Sequence, residues 1–358
     1  MTKVPKLPKV RGESLGTILS VVLAFAVGGL MILLMGYDPV EAYIELFKGA
    51  FVGKFSIGTT LEKFSPILLT GIGYAVCVQT KYFNLGMEGC LYMGAVAAAG
   101  IGLIPGLPAV VHIPLGLLGG ILAGTVWGAI PGALRVKYNV NEACSTIMFN
   151  YTATLLTSFM VFNVWREVTA VSRTPIIEKS AQFTKILKPS RASTAIFLLV
   201  FVVAVMVWLV YKTNFGFKLR ATGHNMFFSN YVGFDAKKTV FLTVCISGAI
   251  GGLAGAMETM GVFYCVWDNF SMGTAFDGML ASLIAKNDIR KLPFTAFVLA
   301  ALRAGAQGLE RVTNVPKALV TTLVPMIIIL ISVDGIRDLL GSLFQKKAPQ
   351  EAQEGVQG

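Results

Sequence analysis

Apolar runs of nearly membrane-spanning length recur along almost the whole chain, and no other feature of the sequence constrains its fold as strongly. The runs lie near residues 15–35, 64–80, 84–104, 108–131, 142–163, 194–211, 239–262, 274–285, 293–310 and 317–333. A helix needs roughly 20 apolar residues to cross the hydrocarbon core of a bilayer, and inside lipid it satisfies its own backbone hydrogen bonds. The pattern therefore predicts an all-α polytopic membrane protein with about ten transmembrane helices.

Two of these runs are less regular than the others. The run at 274–285 has only a dozen residues, which rise about 18 Å at roughly 1.5 Å each, and the run at 84–104 opens with closely spaced glycines. We expect either one to form a broken or re-entrant helix. Because 55% of all residues are hydrophobic and only 14% are charged, no stretch is left for a soluble domain.

Basic residues set the predicted orientation. With the N-terminus placed in the cytoplasm, most of the 30 lysines and arginines fall in inner loops, which is the bias expected of cytoplasmic loops. Both termini are therefore predicted to be cytoplasmic, and the net charge of +11 reflects orientation in the lipid bilayer, with no nucleic-acid partner. The predicted divisions are a cytoplasmic N-terminal segment at 1–14, a membrane domain at 15–340 and a polar, disordered tail at 341–358.

The segment Asp38–Lys63 differs from the apolar runs. It carries several carboxylates among aromatic and aliphatic residues and falls on the outer side of the predicted topology. This composition is typical of an amphipathic helix that lies in the membrane interface. We therefore predict an interfacial helix there, followed by the second span.

Cysteine and histidine spacing does not favour a metal site or a disulfide. None of the five cysteines belongs to a CxxC pair, and His112 and His224 are far apart and on opposite sides of the predicted topology. We therefore expect no metal and no cofactor held by this chain.

Small residues recur every fourth position in two runs, which predicts close helix packing. The glycines in question are Gly116, Gly120, Gly124, Gly128 and Gly132 in the first run and Gly248 and Gly252 in the second. Each set forms a smooth helix face that another backbone can approach. The two helices run in opposite directions in the predicted topology, which is compatible with an inverted repeat. The alternative is that small residues recur wherever membrane helices pack.

Two carboxylates stand at predicted helix starts. Asn84 is expected to cap the helix that follows it, which puts Glu88 in a first turn where the helix dipole favours an anion. Asn141 and Glu142 repeat this arrangement farther along the chain. Both carboxylates are compatible with a structural role at the membrane interface. The dipole offsets only part of the cost of burying a carboxylate, so a functional role is the alternative.

Three other charges lie within apolar runs, and they need partners or water. They are Glu258, Asp277 and Arg303. We expect an ion pair between two of the three. The alternative is that they line a polar passage, where Asn150 and Tyr151 supply amide and ring contacts for a solute.

Four motifs in order along the chain carry a resemblance to a known family. They are Phe83, Asn84, Gly86, Glu88 and Gly89; then Asn141, Glu142, Ser145, Thr146, Ile147, Met148, Asn150 and Tyr151; then Ser247, Gly248, Gly252, Leu253, Ala254, Gly255 and Ala256; and finally Phe276, Asp277 and Gly278. Over most of residues 15–335 the chain resembles the permease subunits of ATP-binding-cassette (ABC) importers of the ribose and nucleoside class. Cys90 stands where that family usually has Gln, and Ala275 where it has Gly.

The resemblance implies partners on both faces of the membrane of a prokaryote. The chain has no GxxxxGK[ST] phosphate loop, so ATP would be bound and hydrolysed by a separate cytoplasmic ATPase subunit and this chain would not itself be an enzyme. The residues implied in docking that ATPase are Gly216, Arg220, Gly223, Asn225, Phe227, Phe228 and Gly233. A solute-binding lipoprotein would deliver the solute from outside.

The implied function is a gated path for nucleosides or simple sugars. The segment Met35–Phe51 is more similar to nucleoside permeases, which implies a second, different permease chain as partner. Glu88 is then placed near the cytoplasmic edge, beside an inner gate. The alternative is an ion-coupled secondary transporter or channel that works without an ATPase, with Glu258, Asp277 and Arg303 as its coupling charges.

Overall fold

A computed structural model describes residues 22–23, 25–34, 36–167, 172–187, 189–271 and 273–312. Over those residues the chain is helical, and its only β pairing consists of two isolated bridges, Arg173 with Trp267 and Lys185 with Ser193. The predicted N-terminal segment at 1–14, the last predicted span at 317–333 and the tail at 341–358 lie outside the described residues, as does much of the first run at 15–35.

Twelve helices can be followed in the described part of the chain. They are α1 (Phe25–Leu34), α2 (Pro39–Phe51), α3 (Lys54–Val78), α4 (Met87–Gly102), α5 (Ala109–Tyr138), α6 (Glu142–Phe159), α7 (Ala195–Lys212), α8 (Asn214–His224), α9 (Met226–Tyr231), α10 (Ala236–Glu258), α11 (Thr274–Ile284) and α12 (Leu292–Val312). Short π-helical turns extend α6 and α10, at Met160–Val164 and Thr259–Phe263.

Six of the described helices are long and apolar enough to cross a membrane: α3, α5, α6 with its π turn, α7, α10 with its π turn, and α12. A seventh span results if α1 and α2 together form one broken span. The two runs expected to be irregular form the short apolar helices α4, of 16 residues, and α11, of 11 residues. The described residues thus contain six or seven candidate spans, compared with the ten predicted for the whole sequence.

The segment predicted as one interfacial helix, Asp38–Lys63, is divided in the structure. Helix α2 ends at Phe51, and α3 begins at Lys54 and continues to Val78. Gly53 lies between them with φ +94°, a backbone conformation that glycine adopts without strain. Ten residues predicted to lie in the interface therefore belong to the first turns of the long helix α3.

Contacts divide the chain into two compact units, residues 46–308 and residues 1–45 with 309–358. In the smaller unit, the Tyr43 hydroxyl donates a hydrogen bond to the carbonyl oxygen of Phe25 at 2.5 Å, and the two rings meet edge to face. In the larger unit, α10 packs against α3, α4 and α5, and α3 also packs against α11.

The periodic glycines lie where α5 meets α10. A Cβ at Gly124 would stand 2.6 Å from the Cα of Gly252, and one at Gly128 would stand 3.2 Å from the Cα of Gly248. The paired positions rise along one helix as they fall along the other, since Gly120 faces Ala256 and Gly132 faces Val244. The two helices are therefore antiparallel and in backbone contact, a packing that larger side chains would prevent.

Candidate functional site

Helix α4 begins beside the middle of α10 and not at its end. The chain leaves α3 at Val78 and runs without helical structure until Met87. Along this stretch Tyr82 packs with Val240, and the Asn84 amide donates to the Ser247 hydroxyl at 2.9 Å. Ser247 is the central residue of the 23-residue helix α10, so α4 starts about 16 Å from the near end of α10.

The local sequence explains this late start. The Asn84 side-chain oxygen accepts a hydrogen bond from the backbone N–H of Gly86 at 3.0 Å, which forms a turn just before the helix. The N-cap residue of α4 is Gly86, which has no side chain with which to make a capping hydrogen bond. The prediction that Asn84 caps α4 is therefore wrong, because its amide is used between the turn and α10.

The Glu88 carboxylate accepts three hydrogen bonds from the segment that leads into α11. The Ser271 hydroxyl donates to Oε1 at 2.6 Å, the Gly273 N–H donates to the same oxygen at 3.2 Å, and the Ala275 N–H donates to Oε2 at 2.8 Å. The first N–H groups of a helix lack intrahelical partners and carry a partial positive charge. Glu88 accepts from two of the N–H groups at the start of α11 and so joins the N-terminal ends of α4 and α11.

The structure adds to the sequence interpretation of Glu88. The sequence predicts a position near the cytoplasmic edge, in the first turn of a helix, and that depth in the membrane stays a prediction. The stretch 79–86 has turns and irregular backbone and no helix, and after it Glu88 lies beside the central part of α10, where it is only 6% exposed. We call the meeting point of α4 and α11, with Asn84, Glu88 and Ser271, the helix junction.

Asn150 holds the helix junction from α6. Its amide nitrogen donates to the Leu85 carbonyl oxygen at 2.7 Å, and its side-chain oxygen accepts from the Gly89 N–H at 2.8 Å. Because both polar ends are used and the residue is 8% exposed, Asn150 orders the turn around Glu88. Tyr151, next to it, is 70% exposed and keeps its ring free on the surface.

Asp277 and Arg303 form an ion pair between α11 and α12. The two guanidinium nitrogens contact the two carboxylate oxygens at 2.7 and 2.5 Å, and Asp277 is 6% exposed. Such a bidentate pair is the arrangement that makes two charges tolerable in an apolar setting. On the opposite side of α11, Gly278 packs closely against Thr70 and Gly71 of α3.

Glu258 does not take part in that ion pair. It lies at the end of α10, is 6% exposed, and its Oε2 atom has no hydrogen-bond partner among the described residues. A cavity of about 40 Å³ adjoins it, and its polar lining includes Glu62, Ser65, Arg191 and Ser193. The structure therefore separates the three intramembrane charges into one pair and one carboxylate beside a small cavity.

Aromatic side chains are exposed directly beside the buried residues of the helix junction. Phe83, which precedes Asn84, is 50% exposed, and Phe276, which precedes Asp277, is 41% exposed. Tyr151, which follows Asn150, is a third such ring. The residue next to each ring in the sequence is buried and hydrogen bonded.

The residues expected to meet an ATPase lie in α8, α9 and the turn after them. Gly223 packs against the Gln79 carbonyl, Asn225 caps α9 by accepting from the Phe228 N–H at 3.0 Å, and Gly233 has φ +92°. The Arg220 guanidinium donates to the Val210 carbonyl. Gly216 packs against the end of α7 and is buried, so these glycines fix the course of the segment.

Helix α9 presents an unpartnered aromatic surface. Phe227 is 88% exposed, Phe228 is 60% exposed and Tyr231 is 91% exposed.

An ion pair lies outside the candidate spans, at Asp288. The Arg290 side chain donates to the Asp288 carboxylate and lowers the pKa of Asp288 to about 2. The Tyr211 hydroxyl donates a further hydrogen bond to this carboxylate at 2.8 Å.

Sequence reasoning missed two polar contributors to the helix junction, Ser271 and Tyr92, and named Ser247 only as a member of a family motif. Ser247 and Ser271 hydrogen bond to Asn84 and Glu88, and the Tyr92 hydroxyl donates to the Ser271 carbonyl oxygen at 2.9 Å. A usable signal existed for Ser271, because it stands three residues before the helix at Thr274, where a polar residue favours a helix start. No local pattern indicates the hydrogen-bond partner of Ser247, which lies 163 positions away.

Comparison with known proteins identifies what the chain is similar to. Residues 56–333 match the family described as "Branched-chain amino acid transport system / permease component". The guanosine ABC transporter permease protein NupP of Bacillus subtilis is 32% identical over 342 residues, which cover 92% of this chain and 97% of that protein. The nucleoside ABC transporter permease protein NupB of Lactococcus lactis is 28% identical over 90% of this chain and 92% of its own length. The glucose ABC transporter permease protein TsgB13 of Haloferax volcanii is 29% identical over 87% of this chain and 85% of its own length.

Proposed function

Because this chain belongs to the family of branched-chain amino acid transport system / permease components, we propose that it carries nucleosides as one of two permease chains in a prokaryotic importer. It is the permease subunit of an ABC transporter, a multi-pass membrane protein and not an enzyme. As such it works with an ATPase and a binding protein. The nucleoside, the second permease chain, the lipoprotein character of the binding protein and the cytoplasmic membrane of a prokaryote are parts of the proposal.

The helix junction is the observation on which the proposed path rests. Two short helices, α4 and α11, begin away from the ends of the long helices and are joined through Glu88. Interrupted helices of this kind line solute paths in membrane transporters, because irregular backbone at membrane depth is tolerated only inside protein or beside a water-filled cavity. The gate roles of Asn84, Glu88 and Asn150 are accordingly structural: they hold the two helix starts together.

The exposed rings favour a nucleoside over a simple sugar. Phe83, Tyr151 and Phe276 offer aromatic faces beside the helix junction, and stacking of a base on an aromatic side chain is worth roughly 1–3 kcal/mol. A guanosine permease and a nucleoside permease are among the relatives, which supports this choice, while the glucose permease supports the other.

Uptake measurements test the proposed solute. Cells or vesicles that hold the full transporter are given labelled guanosine or labelled glucose, and Tyr151→Ala and Phe83→Ala are compared with Phe294→Ala, an equally exposed ring on α12. We expect guanosine uptake to need this chain and its KM to rise about tenfold in the first two variants, from the stacking energy lost. Glucose uptake that depends on the chain while guanosine uptake does not would refute the proposal.

Docking of the ATPase is proposed at α8 and α9. The exposed rings of Phe227, Phe228 and Tyr231 form an apolar helix face of the kind that inserts into a partner's groove. Replacing Phe227 and Tyr231 with Ser should release the ATPase subunit during purification and leave solute capture by the binding protein intact. Pull-down with a tagged second permease copy, in the same preparation, tests whether the partner permease is a different chain.

The ion-coupled alternative loses its physical support. It required Glu258, Asp277 and Arg303 as free coupling charges, and two of these neutralise each other. The family match further identifies a subunit of an ATP-driven system.

A further inference from the structure

A basic groove of about 530 Å³ opens between the end of α5, the start of α10 and the segment α8–α9. Its lining includes Lys81, Arg135, Lys137, Lys237 and His224, and none of the described lining residues is acidic. The nearest carboxylate contact is that of Glu142, which pairs with Arg135 at 3.2 Å. The three lysines have no partner of this kind in the described ion pairs, so the groove is strongly attractive to an anion.

Two buried hydroxyls in the wall of this groove lack hydrogen-bond partners. Tyr82 is 2% exposed and Thr222 is 3% exposed, and neither hydroxyl finds an acceptor among the described residues. A buried polar group without a partner is unfavourable, and most such groups in proteins are hydrogen bonded. Two donors together with three lysines match an oxyanion with several acceptor oxygens, such as a phosphate.

The groove lies at the depth where helices leave the membrane. Arg135 and Lys137 belong to the last turn of α5, and Lys237 belongs to the first turn of α10, and both helices are candidate spans. Basic residues at such ends reach the phosphate region of the bilayer, and basic sites between helices on the cytoplasmic side attract anionic headgroups.

An exposed apolar lane leads along α5 to the groove. Leu118, Leu122, Val126 and Ile130 are between 39% and 63% exposed and recur every fourth residue. Lys137 follows Ile130 by seven residues and therefore lies on the same face of the helix. The opposite face, with the glycines, is buried against α10. An acyl chain on this lane would bring its headgroup to Lys137.

We propose that this groove binds the phosphate of an anionic phospholipid. Lys81, Lys137 and Lys237 neutralise the charge, the hydroxyls of Tyr82 and Thr222 donate hydrogen bonds, and an acyl chain follows the exposed lane of α5. The proposal goes beyond the transport function and does not depend on which solute is carried. The bound lipid would lie next to Gly223. At Gly223, the segment proposed to meet the ATPase packs on residues 79–80.

Lipid titration of the purified full-length chain tests the proposal. Phosphatidylglycerol or phosphatidylcholine with the same acyl chains is added in an uncharged detergent, inorganic phosphate is titrated separately, and bound lipid and the unfolding temperature are measured. The groove variant is Lys81→Gln, Lys137→Gln and Lys237→Gln combined. Its charge-matched control is Lys54→Gln, Lys179→Gln and Lys185→Gln, which removes three lysines elsewhere. A hydroxyl variant, Tyr82→Phe with Thr222→Val, keeps shape and charge.

The wild-type chain and the control should prefer phosphatidylglycerol, and the groove variant should lose affinity by at least about fivefold, the effect of one basic residue near an anionic surface. The hydroxyl variant should bind about tenfold more weakly, as expected for lost hydrogen bonds to a charged group, while its stability in the absence of lipid should not fall, because the removed hydroxyls have no partners in the described residues. This variant keeps the test decisive if the groove variant does not fold.

Several results would overturn the proposal. One is equal binding of the two lipids by the wild-type chain, and another is an undiminished preference in the groove or hydroxyl variant. Stabilisation by inorganic phosphate alone, to the same extent as by the lipid, would identify a free anion as the ligand. Unaltered lipid binding by the purified groove variant, together with loss of the ATPase subunit when the same variant is purified as part of the full transporter, would identify an acidic protein segment as the occupant.

Discussion

Glu88 and Glu258 are carboxylates of the same kind in very different surroundings. Both are 6% exposed and both belong to apolar helices that pack on each other. Glu88 accepts three hydrogen bonds, whereas one oxygen of Glu258 has no partner in the described part of the chain. Burial alone therefore does not distinguish a carboxylate whose oxygens are hydrogen bonded within the protein from one with an oxygen that is not.

The difference follows from where helices begin. Glu88 meets the N-terminal end of α11, where backbone N–H groups lack partners within the helix. Glu258 lies where α10 passes into a π-helical turn. The start of α7 lines the cavity beside it, but among the described residues no group donates a hydrogen bond to its Oε2 atom. Glu88 stabilises the fold because it accepts hydrogen bonds from the start of another helix. We expect Glu258, which lies beside a cavity, to tolerate replacement.

Loss of the Glu88 carboxylate should have the largest effect on stability. Glu88→Ala leaves three buried donors without an acceptor, at roughly 1–3 kcal/mol each, so the free energy of unfolding should fall by about 3–9 kcal/mol. Thermal unfolding of the purified chain measures this. Glu88→Gln, which keeps one acceptor oxygen, should lose less. An unfolding temperature for Glu88→Ala equal to that of the wild type would show that the helix junction is held by packing alone.

Breaking the ion pair between α11 and α12 should rank second. Arg303→Met leaves Asp277 buried and unpaired, which costs about 3–5 kcal/mol, while a double change to Asp277→Leu with Arg303→Met should recover most of the loss. A double-mutant cycle on unfolding free energies checks this. If the double variant is no more stable than Arg303→Met alone, the pair is not the source of the stability of α11.

Glu258→Gln should have a small effect of the opposite sign. The substitution replaces a buried carboxyl group whose Oε2 atom has no partner in the described residues with an uncharged amide, so stability should rise, by about 1 kcal/mol, the lower end of the penalty for an unsatisfied buried group. Measured beside Glu88→Gln, it compares the same chemical change at the two sites. A large destabilisation would mean that Glu258 is bonded as firmly as Glu88, and the contrast between the two would fail.

Asp288 is the carboxylate outside the candidate spans with which the others can be compared, and replacing it should change the stability least. Its pKa in the folded chain is lowered to about 2, chiefly by Arg290. A lowered pKa stabilises the folded state above the ordinary pKa of aspartate, 3.8, and this contribution is lost as the pH falls toward 2. For such an exposed pair it stays below about 1 kcal/mol. Wild type and Asp288→Asn should differ in unfolding temperature at pH 6 and converge at the acid end.

Much of the fold was predictable because it depends on local composition. Helix length and apolarity located the spans of α5, α6, α7, α10 and α12, and the irregular runs became the short helices α4 and α11. The glycine periodicity predicted close helix packing and opposite directions for the two helices, and the structure adds that α5 and α10 pack on each other through these faces. An ion pair was expected because a charge within lipid needs an opposite charge or water. Asp277 and Arg303 form that pair.

The site was predictable only in part, because its contacts join distant segments. The motif residues Asn84, Glu88 and Asn150 do meet at the helix junction, but the sequence assigned the first two to the start of their own helix. Their actual partners are Ser247, at a separation of 163 residues, and Ser271, at a separation of 183. A hydrogen bond over such a distance leaves no periodic signal near either residue.

The sequence by itself determined that the chain lies in a membrane, which of its segments are helical, and that its few internal charges need partners, since hydrophobic length and the cost of burying charge are local properties. Only the tertiary structure decided which groups Glu88 meets and, in the described residues, which carboxylate oxygen has no partner. The physical reason is that the contacts of Glu88 depend on where the non-helical stretch 79–86 ends and what backbone lies beside it there. The N–H groups that receive Glu88 belong to a helix start that exists only once α4 and α11 have come together.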